Sequence, residues 1–148
     1  MPALLQVDVL PYESQVSLLH AGWQDYPRWT TGDKWVAYRA PSLSHPDSPP
    51  YPGIAVATRD MMGPHGPLPV RVEVWADEEP ADLHCVHVTV LAVGDQGVDV
   101  GSSAGAADTR KRLMLARGSY PLKVLVNVDR PDWVSRVVFV IGQRTDST

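Results

Sequence analysis

The stretch His84–Val128, HCVHVTVLAVGDQGVDVGSSAGAADTRKRLMLARGSYPLKVLVNV, decides the fold class. Its apolar residues are largely β-branched, they alternate with a period of two, and Gly and Asp cut them into short runs. That pattern is a meander of strands. In VHVTVLAV the alternation sets Val86, Val88 and Val90 on one face, expected to be the core face, and His87, Thr89 and Leu91 on the other. GSYPLKVLVNV repeats the pattern, with Leu122, Val124, Val126 and Val128 against Lys123 and Asn127. The connection GDQG suits a hairpin turn, because Gly94 and Gly97 tolerate positive φ.

The same signals continue on both sides. VRVEVW, from Val70 to Trp75, alternates Val70, Val72 and Val74 with Arg71, Glu73 and Trp75, a strand with one wet face. IAVATR (Ile54–Arg59) and KWVAYR (Lys34–Arg39) read as strands, as do RKRLMLA and Val134–Ile141 toward the C-terminus. LLQVDVLPYESQVSLL holds two more around Pro11 and Tyr12; Pro11 has no N–H for a ladder, so a hairpin or a bulged single strand fits. Between these runs, PSLSHPDSPPYPG (Pro41–Gly53) and DMMGPHGPLP are Pro-rich loops, and SSAGAAD is a small, flexible linker. About eight or nine short strands with hardly a helical pattern predict an all-β fold, an antiparallel β-sandwich with long Pro-rich loops. A closed barrel is the competing architecture.

A chain of 148 residues with 44% hydrophobic content can bury a core without metal or disulfide staples. Residues 1–142 are expected to form a single β-sandwich domain and 143–148 a frayed tail. No apolar run approaches the roughly 20 residues that cross a bilayer, and MPALLQVDVLPYE lacks the basic start of a targeting segment, so no membrane association is expected. The single cysteine, Cys85, excludes an intrachain disulfide; a cytoplasmic, bacterial-type protein is the expectation.

Charge is distributed unevenly. Residues 70–108 carry eight acidic groups and one basic one, a net −7, whereas residues 109–148 carry eight basic and three acidic groups, a net +5. The two blocks either interleave in space or form separate faces. An acidic face would repel nucleic acid and speed association with a basic protein surface. The densest acidic cluster, Asp77, Glu78, Glu79 and Asp82, lies in the turn DEEPAD.

No residues announce catalysis. HExxH and a phosphate-cradling glycine loop are missing, and GSSAG (101–105) has the letters of GxSxG but reads as a loop, where Ser102 and Ser103 have no adjacent base. Four carboxylates in one turn are poorly placed to straddle a glycosidic bond. His84, Cys85 and His87 are the only cluster of metal-ligating types; in an extended strand Cys85 and His87 share one side and His84 takes the other, short of the three or four convergent ligands zinc needs. A buried Cys85 between surface histidines is the expectation, with no metal, cofactor or enzymatic activity. The aromatic segment with Trp23, Tyr26, Trp29, Trp35 and Tyr38 stands out in a chain with five Trp and one Phe. Such side chains plug the end of a sandwich or stack on a ligand, so Trp23, Tyr26, Trp29 and Trp35 are the candidates for a carbohydrate or small-ligand site. Direct nucleic-acid binding is not expected, since only Arg28, Lys34 and Arg39 accompany them.

The order of these elements resembles the competence protein J family, small inhibitors of bacterial DNA-entry nucleases. The V-x-V-x-x-Y run ending in SQVSLL resembles that family's opening strand, and the aromatic segment followed by PGIAVAT its W-rich stretch and glycine-led strand. VRVEVWADEEPADLHCVHVTVLAVGDQGVDVGS and RLMLARGSYPLKVLV resemble its closing meander, with RGSY in place of its lysine- or arginine-glycine-aspartate-tyrosine. The resemblance covers most of residues 5–128; the loops Pro41–Pro52 and Pro64–Pro69 depart from it. It implies a non-enzymatic β-sandwich that binds a protein partner, a nuclease or toxin, with Asp77, Glu78, Glu79 and Asp82 as the acidic contact. A ligand-binding module using the Trp/Tyr segment and a structural or assembly domain are the alternatives, and the oligomeric state is open.

Overall fold

The computed structural model describes residues 3–20, 29–30, 34–39, 53–102 and 110–145. Trp23, Tyr26 and nearly all of the Pro-rich segment from Pro41 lie outside the described residues. The strands are β1 (Ala3–Val9), β2 (Gln15–His20), β3 (Trp29–Thr30), β4 (Val36–Arg39), β5 (Gly53–Ala57), β6 (Met62–Gly63), β7 (Gly66–Pro67), β8 (Val70–Ala76), β9 (His84–Val93), β10 (Val98–Gly101), β11 (Lys111–Leu113), β12 (Gly118–Val126) and β13 (Arg136–Ile141). They form a five-stranded sheet, β1-β8-β13-β12-β9, and a six-stranded sheet, β11-β10-β2-β5-β4-β3, with β6-β7 as a separate small hairpin. The expected β-sandwich is the observed architecture.

Two inner faces make the core. Val72, Val74, Leu122, Val124 and Phe139 of the five-stranded sheet share one buried cluster with Val16, Leu18, Val56, Val98 and Val100 of the other. Each such side chain contributes roughly 1.5–3 kcal/mol by leaving water, and the period-two alternation of β8 and β12 supplies them on one side only. One pairing breaks the antiparallel rule. β13 lies parallel to β8, with Arg136 opposite Arg71 and Ile141 opposite Ala76, and antiparallel to β12. Asn127 fixes where β13 begins, because its Oδ1 accepts the backbone N–H groups of Ser135 and Arg136, each at 3.1 Å.

Several connections carry the chain between sheets. Pro11 starts neither a hairpin nor a bulge: β1 ends in one sheet, a 3-10 turn follows at Tyr12–Ser14, and β2 begins in the other. Glu13 and Ser14 take positive φ, 58° and 56°, to make that corner. Ser102 is buried and donates to the carbonyl of Tyr12 at 3.2 Å, so the start of SSAGAAD is anchored, where the sequence suggested a flexible linker. GDQG does form a tight turn, with Gly94 bridged to Gly97, but its arms diverge into different sheets. Gly97 has φ +78°, and a Cβ there would sit 2.3 Å from the carbonyl oxygen of Leu113, so only glycine fits.

Val86 packs against the core as the alternation of VHVTVLAV requires, but beyond it the faces of β9 are opposite to that reading. Leu91 and Val93 are buried, while Val88 and Val90 are exposed. The cause is a bulge: Val124 pairs with His87 but Leu125 pairs with Cys85, so Val86 is the extra residue and the register flips across it. Beyond β11 the chain returns to the five-stranded sheet through ARGSY, where the Tyr120 hydroxyl donates to the carbonyl of Ala116 at 2.5 Å. This is the geometry of the tyrosine corner found in other sandwiches. Residues past β13 lie beside it: Thr145 N–H donates to Ser119 O at 2.7 Å and Arg144 Nη1 to Arg117 O at 2.9 Å. Replacing Tyr120→Phe is expected to cost about 1–2 kcal/mol, seen as a lower urea midpoint with an unchanged slope.

Candidate functional site

The acidic turn is laid across the outer face of the five-stranded sheet. Register places Glu73, Val138, Leu125 and Cys85 in one row and Trp75, Val140, Lys123 and Val88 in the next. Leu83, at the end of the turn, and Trp75 pack on Leu125, Val138 and Val140, a second apolar cluster behind the main core. Leu83 is thus the foot that holds the turn down. At its start Asp77 N–H donates to Ile141 O at 2.9 Å, and Asp77 and Asp82 both adopt positive φ, 65° and 64°. Asp tolerates that region better than branched residues do.

The four carboxylates named from sequence therefore share one short turn, but their surroundings differ. Glu79 accepts from Lys123 Nζ at 2.8 Å, and Asp77 accepts from Gln143 Nε2 at 3.1 Å. The hydrogen bond and charge of Glu79 hold the Lys123 ammonium above its usual range. Glu78 and Asp82 are exposed, and their side chains have no hydrogen-bond or ion-pair partner among the described residues. Beside the turn a shallow hollow of about 190 Å³ is bounded by Asp77, Glu79, Val88, Pro121, Lys123 and Val140.

Beneath the turn lies a carboxylate that the sequence placed on a wet face. Glu73 is only 2% exposed. Arg136 donates to it through Nε at 2.6 Å and Nη2 at 3.3 Å, Trp75 through Nε1 at 3.0 Å, and Arg71 lies 3.5 Å away. Burial pushes the Glu73 carboxyl up, but the Arg136 and Trp75 hydrogen bonds and the charges of Arg136 and Arg71 together outweigh it, holding the group below its ordinary value.

The acidic and basic blocks interleave across the strands. Asp99 pairs with Arg112 at 3.0 Å, Asp95 with Arg117 at 3.3 Å, Glu79 with Lys123 at 2.8 Å and Glu73 with Arg136 at 2.6 Å, each joining one block to the other. What remains unneutralised on the turn is Asp77, which is held by a neutral amide, together with Glu78 and Asp82.

The aromatic candidates are less gathered. Trp23 and Tyr26 lie outside the described residues, Trp29 begins β3, and Trp35 is half-buried against the core. Trp35 borders a hollow of about 250 Å³ with Lys34 Nζ 5.8 Å from its ring centroid. Both hollows fall below the roughly 300 Å³ at which small-molecule pockets usually begin. Cys85 is exposed, contrary to expectation, and the bulge at Val86 turns it to the opposite face from His87. Among the described residues no three His, Cys, Asp or Glu side chains gather as a metal site, and no helix is long and apolar enough to cross a membrane. The exposed pair Val88 and Val90 and the buried Glu73 were missed by sequence reasoning, because the bulge and the Arg136 partner are both set by other strands.

No protein-family model matches the chain, and no curated protein matches it. Among solved structures, the chain is similar to ComJ from Bacillus subtilis, described as the inhibitor of the DNA degrading activity of NucA. The TM-score is 0.58 at 10% identity, and the match covers 95% of this chain and 96% of that one. The resemblance read from the strand order thus holds at the level of the fold.

The Glu73 network sets a pH dependence. Because its folded value is lowered, its stabilisation is full above the ordinary carboxylate range and is lost as pH falls from that range through the lowered value. Glu73→Gln is expected to cost about 2–3 kcal/mol at neutral pH and to flatten that acid limb, as read from urea unfolding at several pH values.

Proposed function

We propose that this chain is a protein-binding module that works by stoichiometric contact, restraining a DNA-degrading enzyme or a toxin with a basic surface. The observation that carries this reading is the likeness of fold, over nearly the whole of both chains, to a solved nuclease inhibitor. The acidic turn supports it. Asp77, Glu78, Glu79 and Asp82 are carried on a segment pinned by Leu83 and by the Asp77 backbone, so their charges keep a set spacing. An array of this kind competes for cationic groups that otherwise hold phosphates, and its charge speeds encounter more than it tightens the final complex. In this reading the chain carries out no catalysis and acts in the cytoplasm. The carbohydrate alternative has less behind it, since the hollow at Trp35 is small and open.

The test is an inhibition titration against a cationic, non-specific nuclease from the source cell, with DNA degradation as the readout. Wild type should abolish degradation at a stoichiometric endpoint, and less efficiently as salt rises. Glu78→Gln with Asp82→Asn removes only charges that hold nothing in the fold; it should slow association about tenfold at low salt, a difference that shrinks at high salt. A folded wild-type protein that leaves the nuclease fully active at saturation would refute the inhibitor reading. Equal association rates for wild type and variant would retain the inhibitor and remove the acidic turn from its contact.

A further inference from the structure

The edges of the two sheets are guarded unequally. β1 ends the five-stranded sheet with Asp8 on the strand and a register shift beside Leu4, while β11 and β3 end the other with three residues bearing Lys111 and Arg112 and with two residues. These are the usual protections of an edge: charge, bulges and shortness. β9 is different. It is ten residues long, contains no Pro, Lys, Arg, Asp or Glu, and no strand pairs with its outer side among the described residues.

The direction of its backbone groups follows from Pro121. Gly142 N–H donates to the carbonyl of Pro121 at 2.8 Å, so the backbone of Pro121 faces β13. In an antiparallel ladder the N–H and C=O of one residue point the same way, so Val90, opposite Pro121, is in a non-hydrogen-bonded pair and directs both groups to the open side. Val88, opposite Lys123, has the same parity. These two residues also carry the exposed side chains, 65% and 60% accessible. Free donors, free acceptors and apolar side chains coincide at one place, next to the hollow whose far wall is Asp77 and Glu79.

We propose that β9 accepts an extended basic segment of the partner as an added strand, with its apolar side chains on Val88 and Val90 and its cations toward the acidic turn. Charge decides against a second copy of this chain. β9 of a second copy carries no Lys or Arg to set beside Asp77, Glu78 and Asp82, whereas a basic strand meets opposite charge at the Asp82 end. This inference rests on the protein-partner reading above and specifies its contact.

The test uses the whole chain with a blocked peptide of alternating lysine and valine at millimolar concentration, read by amide hydrogen exchange. A control peptide with proline at every valine keeps the charge and cannot form a ladder. Exchange at Val88 and Val90 should slow about tenfold with the first peptide and not with the control. Val90→Pro, which removes an outward donor, and Val88→Lys, which adds a cation to an exposed site, should each weaken peptide binding about tenfold; the second needs no backbone change. Equal binding of both peptides, no protection at Val88 and Val90, or protection that rises with protein concentration when no peptide is present would each overturn the proposal. The two readings fail separately: a nuclease inhibited equally by wild type and Val88→Lys removes β9 while leaving the inhibitor in place, and an uninhibited nuclease removes the inhibitor whatever the peptide does.

Discussion

The removal of two valine-rich faces from water is the interaction on which every other feature depends. Neither sheet has a reason to exist alone, because Val72, Val74, Leu122 and Val124 on one side and Val16, Val56, Val98 and Val100 on the other lose their exposed area only against each other. That requirement sets the route of the chain. Consecutive strands alternate between layers at Pro11, at Gly94–Gly97 and through ARGSY, and each crossing is a place where special backbone geometry appears: positive φ at Glu13 and Ser14, at Gly97 and at Gly118. The tyrosine hydroxyl on Ala116 closes the last of these corners.

The outer side of the five-stranded sheet is organised by a different constraint. A carboxylate removed from water must be matched, and Glu73 is matched by Arg136, Trp75 and Arg71. These partners come from β8 and β13, so the network fastens the parallel pair across its solvent side. The acidic turn closes over the same region through Leu83, and its remaining charge is what Lys123 leaves unneutralised. Four of the eight acidic groups of residues 70–108 are thus paired with the basic block, and three others stay on one turn.

The fold class was legible because alternation is a local property: Val70, Val72 and Val74, and Leu122, Val124 and Val126, are buried as their spacing requires. The faces of β9 were not, because a bulge at Val86 is set by pairing with β12 and leaves no mark in VHVTVLAV itself. Pro11 announced a break, but whether the chain bends within one sheet or leaves it depends on where β5 and β8 lie. Glu73 looked solvent-facing because Arg136 is sixty-three residues away in sequence. The acidic cluster was found for a simple reason: all its members sit in six consecutive residues. Its division into tethered and free charges needed Lys123 and Gln143, which sequence distance hides.

The parallel insertion of β13 between β8 and β12 has a consequence for how the molecule is made. Until residues 136–141 leave the ribosome, the five-stranded sheet exists only as two separate pairs, β1 with β8 and β12 with β9, each missing its central neighbour. Phe139, the largest fully buried side chain among the described residues, arrives with that strand, so the apolar interior cannot close before then. Assembly of this sandwich is therefore completed only after β13 is made and waits on contacts distant in sequence, a slow step by topology. In that interval β8 and β12 each present an unpaired side, so the incomplete sheet is open to pairing with other chains until its keystone is in place.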